Sequence, residues 1–347
     1  MEAPLVDLRS DTVTRPTPAM REAMAGAEVG DDVLDHDPTT LALEEKVAGL
    51  LGKERALFFP SGIQANQTAL AVHGRPGTEV ICEAGAHIFN YEEAAGAALS
   101  GLQLVPVSTA DGLLTPELVR GAIRPPSPYA PVTALVELEN THNSAGGKIL
   151  PQSDAEAISE VAREAGLPVH LDGARLWHGS VATGMSPREL ASVADTVMVC
   201  MSKGLGAPVG SLLAGPEALM EKAWRVRRRL GGGMRQSGIL AAAGIYALDH
   251  NLERLAQDHR RARALAKGAR GMEGLSVEEP DTNIVMLDIR LSGVTPRGLL
   301  SHMAEEGVLM VPFGPTRIRA VTHMEVDDEG IRRALEALGR ALETMSA

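Results

Sequence analysis

Apolar runs of strand length alternate with Ala-, Glu- and Arg-rich stretches over the first two-thirds of the chain. The runs fall at residues 55–59, 79–82, 103–107, 133–137, 168–171, 196–201 and 211–214. Most lack polar alternation, which is the pattern of strands buried on both faces. Residues 64–72, 91–99, 115–123, 153–164 and 187–192 carry helical patterns between them. Such alternation predicts an α/β fold built on a mostly parallel sheet. Ligands are then expected beyond the carboxyl ends of the strands. Past about residue 220 the character changes. A long helical stretch, 238–268, precedes strands near 283–289 and 316–321 and helices at 296–306 and 328–345. The chain therefore divides into an N-terminal arm (1–20), a large domain (21–240) and a smaller C-terminal α/β domain (241–347). The arm, with Pro4, Pro16 and Pro18, is expected to lie over the site or a neighbouring subunit.

Composition narrows the class. Hydrophobic residues are 44% and charged residues 22%, an ordinary globular balance that excludes a disordered or collagen-like chain. No apolar run approaches the ~18 residues of a membrane helix. The N-terminus lacks a signal-peptide pattern, and Cys82 and Cys200 are too few for a disulfide framework or zinc site. A cytoplasmic protein is expected. The net charge of −12 argues against nucleic acid or an anionic membrane as partner. Only six of the 33 basic side chains are lysines, so a reactive lysine is easy to look for.

One lysine stands out. The run from Thr196 delivers Ser202-Lys203-Gly204-Leu205-Gly206, a lysine in a glycine-rich turn at a strand's carboxyl end. Desolvation there favours the neutral amine, a nucleophile for carbonyls. Taken alone, the pattern reads equally as a surface lysine in a turn. Upstream, Asp172 ends another buried run, where a carboxylate can hold a pyridine nitrogen protonated. Alone it reads first as a helix N-cap; the pair is far more specific. Phe59-Pro60-Ser61-Gly62-Ile63-Gln64 opens a helix with small residues, a candidate phosphate cradle or an ordinary capped helix. His87 and His142 each follow a strand end and are candidate acid–base groups. Arg317 and Arg319 share a strand face and offer a carboxylate clamp. The run Arg225, Arg227, Arg228 and Arg229 precedes a triple glycine, where an arginine of one subunit could reach a phosphate of another. No metal-ligand spacing rises above chance, so no catalytic metal is expected.

Several motifs together are similar to the low-specificity L-threonine aldolases. They are Leu8-Arg9-Ser10-Asp11-Thr12-Val13-Thr14-Arg15-Pro16-Thr17, Gly30-Asp31-Asp32-Val33, Glu139-Asn140-Thr141-His142-Asn143, His170-Leu171-Asp172-Gly173-Ala174-Arg175 and Ser202-Lys203-Gly204-Leu205-Gly206. The resemblance runs through Gly231-Gly232-Gly233 to His323, essentially the whole chain. It implies a pyridoxal 5'-phosphate enzyme of the aspartate-aminotransferase fold, with a large domain around a seven-stranded sheet. The reaction implied is retro-aldol cleavage of L-threonine and L-allo-threonine to glycine and acetaldehyde. Lys203 would carry the cofactor as a Schiff base, Asp172 would pair with its pyridine nitrogen, and His87 would stack over its ring and assist proton transfer. His142 would lie near the substrate hydroxyl. Ser10, Arg175 and Arg319 would bind the substrate carboxylate. Ser61, Gly62 and Ile63 would cradle phosphate, with Arg175 also near the cofactor. Arg228 would reach the phosphate from a neighbouring subunit of a homotetramer, a dimer of dimers sharing active sites. Two departures stand against the family pattern: Ile63 replaces a threonine, and Leu34-Asp35-His36 replaces a Tyr-Gly sequence. The alternatives are a β-eliminating lyase or racemase on the same fold and, more remotely, a non-catalytic cofactor-binding regulator.

Overall fold

The computed structural model describes residues 4–346; residues 1–3, where the arm begins, and residue 347 lie outside the described residues. The strands are β1 (Val6–Asp7), β2 (Arg55–Phe59), β3 (Thr78–Glu83), β4 (Gln103–Val107), β5 (Val132–Glu139), β6 (Val169–Gly173), β7 (Thr196–Cys200), β8 (Ser211–Gly215), β9 (Leu275–Val277), β10 (Ile284–Ile289), β11 (Val308–Leu309), β12 (Val311–Pro312) and β13 (Arg317–Val321). Seven form one sheet in the order β2-β8-β7-β6-β5-β3-β4. All its pairings are parallel except those of β8, which runs against β7 and β2.

The continuous apolar runs have a direct cause. Alternate side chains of one strand enter different cores: Phe58 joins Leu43, Val47 and Val197 on one face, while Leu57 and Phe59 join Ala65, Ala69 and Met198 on the other. With both faces covered by helices, a polar residue on either face would be stranded.

The structure revises two local expectations. The stretch 91–99 is not one helix: a short helix spans His87–Asn90 and another Ala95–Ser100. Glu93 and Ala94 take positive φ values of 52° and 54° between them. The turn lets Glu92 point inward, fully buried, which a continuous surface helix would prevent. The stretch 238–268 is likewise two helices, Gly238–His250 and Leu255–Arg270, broken where Asn251 turns inward. The second sheet, β12-β13-β10-β9, is antiparallel throughout. Lys53 is partly buried and donates to the Ala194 carbonyl at 2.5 Å.

The antiparallel sheet packs under the helices Leu255–Arg270, Pro296–Glu305 and Asp328–Ser346 around its own apolar core, which also takes in Val6 and Leu8. β1 adds to β11 in parallel, and the Leu8 carbonyl accepts from Val321 N at 2.9 Å. The start of the chain is therefore tied to its end, and residues 10–14 run back across the large sheet's carboxyl edge. Among the described residues, no helix is long and apolar enough to cross a membrane.

Candidate active site

β6 and β7 end side by side, with Asp172 opposite Met198 and Gly173 opposite Val199. Both therefore deliver residues to one crevice. β7 runs into a loop, 201–210, that reverses the chain into β8 and carries Lys203. The loop is pinned from three sides. Thr14 Oγ1 donates to the Lys203 carbonyl at 3.2 Å, and Asn251 Nδ2 donates to the Leu205 carbonyl at 2.7 Å. Gly204 packs so closely on His178 Nε2 that a Cβ there has no room.

A cavity of about 290 Å3 opens above this loop. Its lining includes Lys203, Asp172, His87, Arg175, Ser61 and Gly62, and Ile63, 41% exposed, stands among them. Asp172 is almost fully buried; its Oδ1 accepts Ala174 N–H at 3.0 Å and its Oδ2 accepts Asn66 Nδ2–H at 2.7 Å. Ser61 caps the helix Gly62–His73 by accepting from Gln64 N at 3.2 Å. The first-turn N–H groups have no earlier carbonyl to bond, and the helix dipole makes this end attractive to a phosphate. A Cβ at 62 would lie 3.1 Å from Cys200 Sγ and 3.3 Å from Met198 Cε, so those side chains would have to give way by a few tenths of an ångström.

His87 is held by two acids. Its Nδ1 lies 2.8 Å from Glu92 Oε1, and its backbone N–H donates to Glu139 Oε2 at 2.8 Å. Glu92 also accepts from Asn66 Nδ2 at 2.9 Å and Gln67 Nε2 at 2.6 Å. Burial lowers the His87 pKa, but the hydrogen bond to Glu92 and the charge of Asp172 outweigh it, and the net shift is upward. Ligand-type atoms of His87, Glu92 and Asp172 lie within 4.8 Å of one another, a grouping that sequence spacing did not reveal. The amide hydrogens of Asn66 and Gln67 already bond the two carboxylates, and the His87 Nδ1–H accounts for the remaining contact.

The arginines divide their work. Arg175 is buried and forks onto Asp11, Nε to Oδ2 at 2.8 Å and Nη2 to Oδ1 at 2.7 Å. Its Nη1 donates to Asn143 Oδ1 at 3.2 Å, and Arg319 Nη1 donates to the same oxygen at 2.9 Å. Arg319 Nε is buried without a partner. Arg175 is thus committed largely to Asp11, while Arg319 also donates from Nη2 to the Arg9 carbonyl at 3.3 Å and keeps Nε unpartnered. Burial pushes the Asp11 carboxyl upward, but Arg175 overrides this and holds it far below the usual carboxylate range.

Four expected residues lie apart from the cavity wall, Arg319 among them, which stands behind Asn143. Ser10 caps the turn Asp11–Val13, its Oγ accepting from Thr12 N. His142 faces a neighbouring cleft of about 310 Å3, with Nε2 3.2 Å from Glu83 Oε2 and Nδ1 accepting from Ala145 N. Arg228 is exposed beside the Trp224 ring, 5.7 Å from its centroid.

The sequence profile of the beta-eliminating lyase family matches residues 7–292. Low-specificity L-threonine aldolase 1 of Arabidopsis thaliana is 44% identical over 347 residues, covering 98% of this chain and 97% of the relative. The low specificity L-threonine aldolase of Escherichia coli K12 is also 44% identical, over 94% of this chain and 96% of its own. The chain belongs to the low-specificity L-threonine aldolase family. The fold agrees: a putative L-allo-threonine aldolase from Listeria monocytogenes superposes with a TM-score of 0.80 at 23% identity, covering 98% and 97% of the two chains.

In this aldolase-family chain, sequence reasoning missed Glu92, Asn66, Asp11 and Asn143. Asp11 and Asn143 stand inside quoted motifs, so that signal was present. Glu92 stood in an apparent surface helix and Asn66 in a helix interior. The unusual Leu34-Asp35-His36 segment forms an outer turn, with Leu34 74% exposed and His36 at a φ of 66°.

Proposed function

We propose that this chain cleaves L-threonine and related β-hydroxy-α-amino acids to glycine and an aldehyde, with pyridoxal phosphate held on Lys203. The observation that carries the reading is the meeting of Lys203, Asp172 and His87 in one cavity of a chain from this family. The residues suit that cofactor: an amine for the Schiff base, a carboxylate opposite, a helix N-terminus without a Cβ at Gly62, and an unpartnered Arg319 Nε for the substrate carboxylate. When bound, the cofactor supplies a ring that takes up the electrons of the broken Cα–Cβ bond.

The protein's part is positioning and proton handling. Arg319, steadied by Asn143, holds the carboxylate bidentately and fixes which Cα bond is activated. Asp172 supports a positive charge on the ring nitrogen. His87, with Nδ1 committed to Glu92, offers Nε2 to take the proton of the β-hydroxyl. Between the two candidate histidines, geometry favours His87, since His142 is turned to Glu83. Arg228, exposed and outside its own cavity, fits a phosphate contact across a subunit interface of a dimer or tetramer.

The test is acetaldehyde release from L-threonine by the purified protein and by Lys203→Ala, both supplied with pyridoxal phosphate. Acetaldehyde and glycine from the wild type alone support the reading. The family profile's name keeps a second reading in view, β-elimination, whose products would be an α-keto acid and ammonia.

A further inference from the structure

Behind Asp172 runs a line of polar groups that neither the reaction nor the family motifs account for. Asn66 Nδ2 donates both its hydrogens to carboxylates, to Asp172 Oδ2 at 2.7 Å and Glu92 Oε1 at 2.9 Å. Its Oδ1 can only accept, so His170 Nε2, 3.1 Å away, must carry a hydrogen. His170 is fully buried, and burial pushes its pKa down to about 4. The neutral ring holds one hydrogen, which leaves Nδ1 bare. Thr196 Oγ1 lies 3.0 Å from Nδ1 and therefore donates to it. A lone pair of the same hydroxyl is left for His73 Nε2–H, at 2.9 Å. Burial also holds His73 low, at about 4. Each link of the chain His73–Thr196–His170–Asn66–Asp172 thus donates toward Asp172, while the second Asn66 hydrogen goes to Glu92.

We infer that Thr196 and His170 are positioning residues for Asp172: the Thr196 hydroxyl selects the Nε2–H form of His170, which locks the Asn66 amide and aims the Asp172 carboxylate into the cavity. The inference rests on the reading of Asp172 as the partner of the pyridine nitrogen. Aligned donors polarise one another, so the line strengthens the bond onto Asp172. The alternative tautomer is close at hand. The Thr196 carbonyl lies 3.2 Å from His170 Nδ1 and would accept from it if the hydroxyl were gone. A bare Nε2 would then face Asn66 Oδ1. Flipping the amide to relieve that clash would set its oxygen against two carboxylates.

The test uses Thr196→Val, which keeps the shape and loses the hydroxyl, beside Thr196→Ser, which keeps the hydroxyl. Ring ¹⁵N shifts of labelled histidine, with His170 assigned by its absence in His170→Gln, report the tautomer in the cofactor-free protein. The wild type and Thr196→Ser are expected as Nε2–H and Thr196→Val as Nδ1–H. Pyridoxal phosphate titrations should show affinity falling roughly tenfold in Thr196→Val, the scale of one hydrogen bond to a charged group. The ¹⁵N shift of the bound cofactor's ring nitrogen should move toward its unprotonated value. Should Thr196→Val not fold, His170→Gln retains a donor near Nε2 and should keep affinity, while His170→Leu should lose it. A wild-type Nδ1–H ring, or unchanged affinity and ring-nitrogen shift after the tautomer flips, overturns the inference. Unchanged affinity in Asp172→Ala overturns the cofactor reading and with it the purpose of the chain, while the ring shifts still report its direction.

Discussion

Replacing Asp11 by asparagine removes one charge from a pair that is dry on both sides. The side chains are 0% and 5% exposed, and two N–H···O bonds of 2.8 and 2.7 Å join them. Asparagine is isosteric and keeps one acceptor for Arg175, but it turns an amide group toward the other N–H. One charge-assisted bond is lost, about 1.5–3 kcal/mol, and a buried guanidinium is left without its counter-charge. Together these place the cost at about 3–5 kcal/mol. Guanidinium chloride unfolding followed by tryptophan fluorescence measures it, since Trp177 is buried two positions beyond Arg175. Arg175→Met should cost a similar amount, and the double variant should cost less than the sum by about 2 kcal/mol, because neither charge is then left alone. The sign with pH follows from the depressed carboxyl. Its contribution is fully present above the ordinary value of 3.8 and is lost as pH falls through the lower folded value. The gap between wild type and Asp11→Asn should therefore hold steady from pH 8 to 5 and shrink below pH 4. A loss under about 1 kcal/mol, or a gap that widens on acidification, would refute the account of Asp11 as the chief counter-charge.

Glu92→Gln removes the largest upward influence on His87, so the acid limb of kcat/KM should move to lower pH; a pH–rate profile reads the shift, and an unmoved limb excludes His87 as the titrating base. Gly204→Ala drives a methyl group into His178 Nε2; a stability loss of about 1–3 kcal/mol with weakened cofactor uptake is expected from denaturation and absorbance titration. Arg319→Lys replaces a fork by a point charge, and KM for threonine should rise about tenfold with a smaller change in kcat; an unchanged KM would return the carboxylate to Arg175.

The large sheet was legible because its strands are buried on both faces and announce themselves as unbroken apolar runs. Lys203 and Asp172 were legible for a related reason: each is a polar residue at the point where such a run stops. What stayed hidden is polar and internal. Thr196 and His170 lie inside strands that read as apolar, and their function depends on which neighbours the sheet order brings alongside. Glu92 reads as one more acid on a helix face until Glu93 and Ala94 break the helix. The break at Asn251 was equally silent, since the Leu205 carbonyl that draws it inward is 46 residues away. The direction of β9 to β13 was not readable because short strands joined by helices or turns fit either sense.

The join between the two ends of the chain has a consequence for the order of events on the ribosome. Val6 and Leu8 find their places only against β11 and β13, so the segment carrying Asp11 and Thr14 cannot settle over Lys203 until residue 321 has been made. From Lys203 to residue 321, at 5–20 residues per second, the wait is about 6–24 s. Through that time Arg175 lacks its counter-charge and the lysine loop lacks one of its ties. The newborn large domain therefore waits with its reactive crevice uncovered, and the last third of translation closes it.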